Sequence, residues 1–228
     1  MFVQPTIVVA LLLALAAPAA AADRTVLLVT ESRGYVHASI PAARGAIARW
    51  DADRGDVRVV ELRGAELTAA RLRGAAAVVF ANSNGELPVD RRALRRFVAR
   101  GGGLAGFHSA SGMFDDWPAW ETLLGGRFDH HEPAGAVETA RLVRPGHPAV
   151  RGVPRTFPMA EEWYVHEPGV GRRATVLARW GTGHPLVWVR TPGRGRVFYD
   201  ALGHFADTWN DPRHEVLMRS GLRWVLGG

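Results

Sequence analysis

Gly101-Gly102-Gly103-Leu104-Ala105-Gly106-Phe107-His108-Ser109-Ala110-Ser111-Gly112 reads as a glycine stop, a short buried strand, and a turn that breaks off on a histidine. Residues 104–107 carry no charge and suit a central strand covered on both faces. Gly106-Phe107-His108-Ser109-Ala110 has the small-x-X-x-small form of a nucleophile turn. Small neighbours let the chain reverse sharply and lift the central side chain above the sheet edge. A lone histidine there is ordinarily a hydrogen-bonded strand-end residue; the second histidine turn, Gly203-His204, makes the pair a candidate site. Gly101-x-Gly103-x-x-Gly106 also matches the letters of a dinucleotide fingerprint. It precedes a strand instead of joining strand to helix, so it cannot set a helix N-terminus beneath a pyrophosphate, and we read no nucleotide motif here.

Outward from that turn, aliphatic runs alternate with helical patterns. Residues 25–30, 56–61 and 75–80 read as strands, the last ending in the turn-prone Asn82-Ser83-Asn84-Gly85. Ser39 is placed as the N-cap of a helix with Pro41 in its first turn, running to about Trp50. Residues 88–100 form an amphipathic helix pattern with Leu94, Phe97 and Val98 on its apolar side and Gly101 to Gly103 as its stop. Such alternation predicts an α/β fold: a doubly wound, mainly parallel sheet with helices on both faces. In the second half, residues 137–143, 174–179, 185–190 and 195–201 read as strands joined by Pro/Gly-rich turns, and 211–226 as a closing helix. No repeat or long linker intervenes, which predicts one domain over residues 23–228. Ligands bind beyond the carboxyl ends of strands in such sheets, which singles out the loops holding His37, Asn82 and Asn84, His108, and His204.

The 228 residues are enough for one sizeable core. All 28 cations are arginine, and the net charge is +6. They are interspersed with acids along the chain, which argues for a mixed solvated surface and against a nucleic-acid partner. Cysteine is absent, which removes disulfides, thiolate metal sites and thiol nucleophiles together. Thr6 to Leu15 is a short apolar run, followed by an alanine-rich stretch broken by Pro18 and then Asp23-Arg24. That pattern predicts a secretory signal over residues 1–22 and an exported, periplasmic or extracellular protein, although no Lys or Arg precedes the run. The alternative is an uncleaved anchor, for which the run is short; membrane contact is expected only through this segment.

Several segments, taken in order, resemble the ThuA-like (trehalose utilisation) family, whose fold is that of class I glutamine amidotransferases. They include Gly34-Tyr35-Val36-His37, Gly106-Phe107-His108, Asp116-Trp117-Pro118, Phe128-Asp129-His130-His131, Glu161-Glu162-Trp163-Tyr164, Gly195-Arg196-Val197-Phe198-Tyr199 and Leu202-Gly203-His204. The resemblance implies a flavodoxin-like, amidotransferase-like sheet over nearly all of the chain beyond residue 22. In the amidotransferase relatives a cysteine tops the fourth-strand turn and a late-strand histidine is its base. Those positions are His108 and His204 here, so thiolate glutaminase chemistry is excluded and the two imidazoles are left to bind a metal or move protons.

The candidate catalytic set is His108, His204 and Glu162; the same three are the candidate ligands of a divalent metal. Glu162 is equally well read as a solvated charge ahead of a strand. Candidate substrate contacts are His37, Asn84, Trp117 and Trp209, the tryptophans because indole faces stack on sugar rings, against core packing as their ordinary role. Adjacent His130 and His131 diverge on an extended backbone, so at most one is functional. His147 and His184 precede prolines and are read as turn-shaping, and Asp115 and Asp116 as an N-cap before Trp117-Pro118. Together with the resemblance, these residues lead us to expect a protein of carbohydrate catabolism acting on a disaccharide, glycoside or 3-keto-sugar. The alternative is a non-catalytic carbohydrate-binding or structural module on the same scaffold. Either way the expected partner is a small carbohydrate, with the oligomeric state open.

Overall fold

The computed structural model describes residues 24–167 and 169–228; the expected signal segment, residues 1–22, lies outside them. The four aliphatic runs of the first half form β1 (Arg24–Val29), β2 (Val57–Glu61), β3 (Ala75–Ala81) and β4 (Gly103–Phe107). Between them run α1 (Ile40–Arg54), α2 (Ala69–Arg73) and α3 (Arg91–Ala99). The chain then forms α4 (Pro118–Leu124), β5 (Phe128–His131), β6 (Ala136–Leu142), β7 (Thr156–Glu161), β8 (Tyr164–His166), β9 (Thr175–Trp180), β10 (His184–Arg190) and β11 (Arg196–Asp200). It closes with α5 (Ala206–Asn210) and α6 (Pro212–Val225).

Nine strands make one sheet in the order β2-β1-β3-β4-β11-β10-β9-β6-β7, and β5 and β8 pair separately. β2, β1, β3, β4 and β11 are mutually parallel, and β10, β9, β6 and β7 extend them antiparallel. All five residues of β4 are buried, as are Ala77 to Ala81 of β3, which is why both read as unbroken apolar runs. Each large side chain so enclosed contributes about 1.5–3 kcal/mol. Gly103 opens β4 where a Cβ would stand 2.6 Å from the Val225 carbonyl oxygen, so the start of this strand and the end of α6 approach at backbone distance.

Register places the site. Phe107 pairs with Ala81 on one side and Asp200 on the other, so the chain leaves β4 and β11 side by side at the same rim. His108 and Ala201 are the first residues past it. Several local expectations are revised. α3 begins at Arg91, where the Asp90 carboxylate accepts from the Ala93 amide at 2.8 Å. Ser39 does precede α1, but its hydroxyl caps nothing there and donates instead to the Gly203 carbonyl. Asp115 and Asp116 do not cap α4: Trp117 holds that position, while Asp115 pairs with Arg127 and Asp116 with Arg91. β7, whose residues are alternately exposed and buried, carries a period-two signal that Pro158 disguises.

Candidate functional site

At the end of β4 the chain turns through His108 with φ +51°, a left-handed conformation that costs a non-glycine residue about 1–2 kcal/mol. Local bonds hold it there. The Tyr199 hydroxyl donates to the His108 carbonyl at 2.7 Å, and the His108 Nδ1 lies 2.9 Å from the Ala201 carbonyl oxygen. A carbonyl only accepts, so Nδ1 carries the hydrogen and, in the neutral ring, the Nε2 lone pair is free. That nitrogen faces His37 Nε2 at 3.1 Å, the Tyr164 hydroxyl at 3.1 Å and Glu162 Oε2 at 3.2 Å.

Four segments distant in sequence meet at this point. His37 follows β1, His108 follows β4, Glu162 lies between β7 and β8, and His204 follows β11. One ligand atom from each lies within 4.8 Å of all the others. His204 Nδ1 stands 2.9 Å from Glu162 Oε2, but the ring is not aimed along a straight N–H···O bond, so the contact is an ion pair. His131 Nε2 approaches the other carboxylate oxygen at 3.1 Å. Burial, followed by the neighbouring charges of His108 and His204, lowers His37 to a pKa of about 3, so it is a neutral donor at pH 7. Burial pushes the Glu162 carboxyl up, but the imidazoles of His108 and His204 beside it outweigh that and hold the group below the usual carboxylate range. The Glu162 carboxylate in turn raises His204 against its burial.

The turn that presents His204 is fixed from behind. The Gly203 carbonyl accepts from Ser39 Oγ, Asn82 Nδ2 and Trp209 Nε1, each at 2.9 Å. Fully buried Glu161 accepts from the amides of Glu162 at 2.9 Å and of Gly203 and His204 at 3.0 Å, and from the Thr208 hydroxyl at 2.6 Å. It binds the loop of one metal candidate to the turn of another.

The structure therefore brings together His37, His108, Glu162 and His204, and separates them from three expected contacts. Trp209 is wholly buried with its N–H committed to Gly203, so it supports the turn and cannot stack on a ligand. Trp117 packs on Phe114 and Trp120 beneath Arg91, away from the cluster, and Asn84 joins Ser32 in a backbone bridge with its side chain against Gly34. Of the adjacent pair, His131 faces Glu162 while His130 binds its neighbour Asp129. His147 caps a short turn, accepting from the Ala149 amide, and His184 stacks on Trp180. Sequence reasoning missed Glu161 and Tyr164 as parts of the site, and missed buried His166. Within β8, Tyr164 and His166 share a side by simple alternation, a signal lost because so short a strand was not recognised.

The three imidazoles and one carboxylate fit a divalent cation of borderline softness. The donors are close enough to share one ion, and the His108 Nδ1–H bond to Ala201 is the kind of outer contact that orients a ligating histidine. Comparison with known proteins bears on the same chain. The family described as "ThuA: Trehalose utilisation" matches residues 25–225. The chain belongs to the ThuA family. Among solved structures, a ThuA-like protein from Bacteroides uniformis is 18% identical with a TM-score of 0.75, covering 93% of this chain and 95% of its own. A second, from Parabacteroides merdae, is 18% identical with a TM-score of 0.69, at 90% and 91% coverage. A cytoplasmic protein of Salmonella typhimurium is 14% identical with a TM-score of 0.68, at 88% and 99%. At these identities the likeness is one of ThuA fold. No curated protein matches the sequence.

His166 supplies a first prediction. It is buried edge-on to Trp188 and Tyr199, with Nε2 3.4 Å from Ser111 Oγ and no partner for Nδ1 among the described residues. Burial, followed by the charges of His108 and His184, lowers it to about 3. A folded pKa below the unfolded value means the unfolded chain takes the proton first. The contribution of His166 is thus complete above about pH 6.5 and declines as pH falls from there toward 3, by up to about 1.4 kcal/mol per unit. Urea melts at pH 7, 5 and 4 should show His166→Gln losing less stability on acidification than the parent; parallel losses would refute the assignment.

Proposed function

We propose that this ThuA-family protein is a carbohydrate-processing enzyme whose His37, His108, His204 and Glu162 hold a divalent cation, acting on a disaccharide, glycoside or 3-keto-sugar. The observation that carries the reading is the convergence of four donor atoms within 4.8 Å at the carboxyl rim of the parallel strands. A cation held there supplies Lewis acidity toward a sugar hydroxyl or carbonyl oxygen. The protein contributes position and protons. His131, half-exposed and 3.1 Å from Glu162, can exchange a proton with substrate from the open side. Tyr164, whose hydroxyl burial keeps protonated, donates toward the same point.

Carbohydrate as the substrate class is supported by the family description and by Tyr35. This ring is 62% exposed, lies 4.7 Å from His37 edge-on and stacks parallel on His204 at 6.3 Å. It offers a sugar the aromatic face that Trp117 and Trp209 do not. Tyr35→Ala should raise KM for the sugar by about tenfold with kcat little changed, because only a stacking contact worth about 1–1.5 kcal/mol is removed. The function itself is tested by metal analysis of the purified protein and by turnover of 3-keto-glycosides and their parent disaccharides, with and without added zinc or manganese. Cation retention with product formation supports the reading. Sugar binding without any product would assign the chain to the non-catalytic module instead.

A further inference from the structure

A cleft of about 1170 Å³ opens between α3, α4 and the turn joining β10 to β11, and no residue of the histidine cluster lines it. It is roomy for a small-molecule site. Arg91, Arg92, Arg95 and Arg96 of α3 line it, with Arg173 and Arg190, and no Asp or Glu among the described residues does.

Arg190 is the informative residue. It is 9% exposed, its Nη1 donates to the Leu123 carbonyl at 3.2 Å, and its buried Nε has no partner among the described residues. No carboxylate among those residues pairs with it, and a guanidinium taken from water without one is costly. The fold has nevertheless made room for it: a Cβ on Gly125, which has φ +110°, would lie 2.7 Å from Arg190 Cδ. α3 carries a related tension. Its nine residues include four arginines and no acid, spaced one, three and four apart, and two of them occupy the first turn, where the helix dipole disfavours cations. Among the described residues, only Arg91 of the four has acidic partners, Glu86 and Asp116.

We propose that this cleft is a second binding site, for a small oligoanion bearing two or more phosphate, sulfate or carboxylate groups. Guanidinium forks from α3 and from Arg190 match such groups two bonds at a time. Trp117, Ala119 and Leu123 provide an apolar wall for the ligand body. The occupant relieves both the unpaired charge of Arg190 and the repulsion along α3.

Titration calorimetry of the full-length protein at 0.15 M salt, with inorganic pyrophosphate, citrate and a sulfated disaccharide, tests this. One-to-one micromolar binding of at least one probe is expected, and their ranking names the anionic group. Arg190→Met should weaken that probe at least tenfold. Should this variant fold poorly, the exposed pair Arg92→Ser/Arg95→Ser should do the same. Arg73→Ser/Arg100→Ser, in an adjoining arginine-lined depression that has Arg96 in common with the cleft but neither Arg92 nor Arg95, should leave binding unchanged. Millimolar or weaker binding of every probe, or equal weakening by the Arg73 and Arg100 pair, overturns the proposal, since the protein would then only be attracting anions to a basic surface.

Discussion

On the proposed function, Glu162→Gln is expected to abolish retention of a divalent cation and to lower sugar turnover by about 10²–10⁴-fold while leaving the protein folded. The amide has the volume of the acid, but it brings no charge and puts an NH₂ where an oxygen faces imidazole nitrogen. Glu162 touches His108 at 3.2 Å, His204 at 2.9 Å and His131 at 3.1 Å, so it is the anionic centre of three rings. Without it, His37, His108 and His204 would have to hold a dication with no compensating charge. His204 would also lose the neighbour that raises its pKa and would become neutral at lower pH. His108→Asn is the matching test at the elbow, because asparagine tolerates the left-handed backbone better than alanine does. It removes the Nε2 donor while respecting the turn. Metal content, circular dichroism and turnover measured on both variants decide the matter: unchanged metal content and turnover in either folded variant would sink the assignment.

Glu161→Leu has the largest expected effect on stability, a loss of about 3–5 kcal/mol. The carboxylate is fully buried and has no cationic partner among the described residues; three backbone amides and a hydroxyl supply its solvation. Leucine fills similar space but leaves those donors facing carbon, and each orphaned donor costs about 1–3 kcal/mol before the loop relaxes. The damage should be local as well as global, because the released segment is the turn carrying His204 and the strand end carrying Glu162. Glu161→Gln keeps one acceptor and should lose roughly half as much. Denaturant melts and the metal affinity of the folded fraction measure the two effects separately. A leucine variant as stable as the parent would show that the four donors find water instead.

The parallel half of the sheet was legible because β1, β3 and β4 are buried on both faces and therefore read as plain aliphatic runs. The elbow at His108 was legible from its small neighbours, and His204 from its place after the last strand. What stayed hidden has physical reasons. β7 exposes alternate residues and contains Pro158, so it lacked an apolar run; β8 is three residues long. With those strands unrecognised, neither Tyr164 nor Glu161 had a direction. Trp117 and Trp209 were read by residue type and proximity in sequence, neither of which tells which way an indole points. Trp209 bonds inward and Trp117 packs among other rings.

One feature of the cluster reaches beyond chemistry. Its donors stand at positions 37, 108, 162 and 204, so no two of them are near neighbours along the chain. An unfolded polypeptide therefore does not hold these four donors together, and an ion that recognises this quartet recognises only the assembled protein. Saturation at a hundred times the dissociation constant would add about 2.7 kcal/mol to the native state. The ion would thus act as a rivet between the early and late thirds of the molecule, drawn from the surroundings only after the last strand has docked.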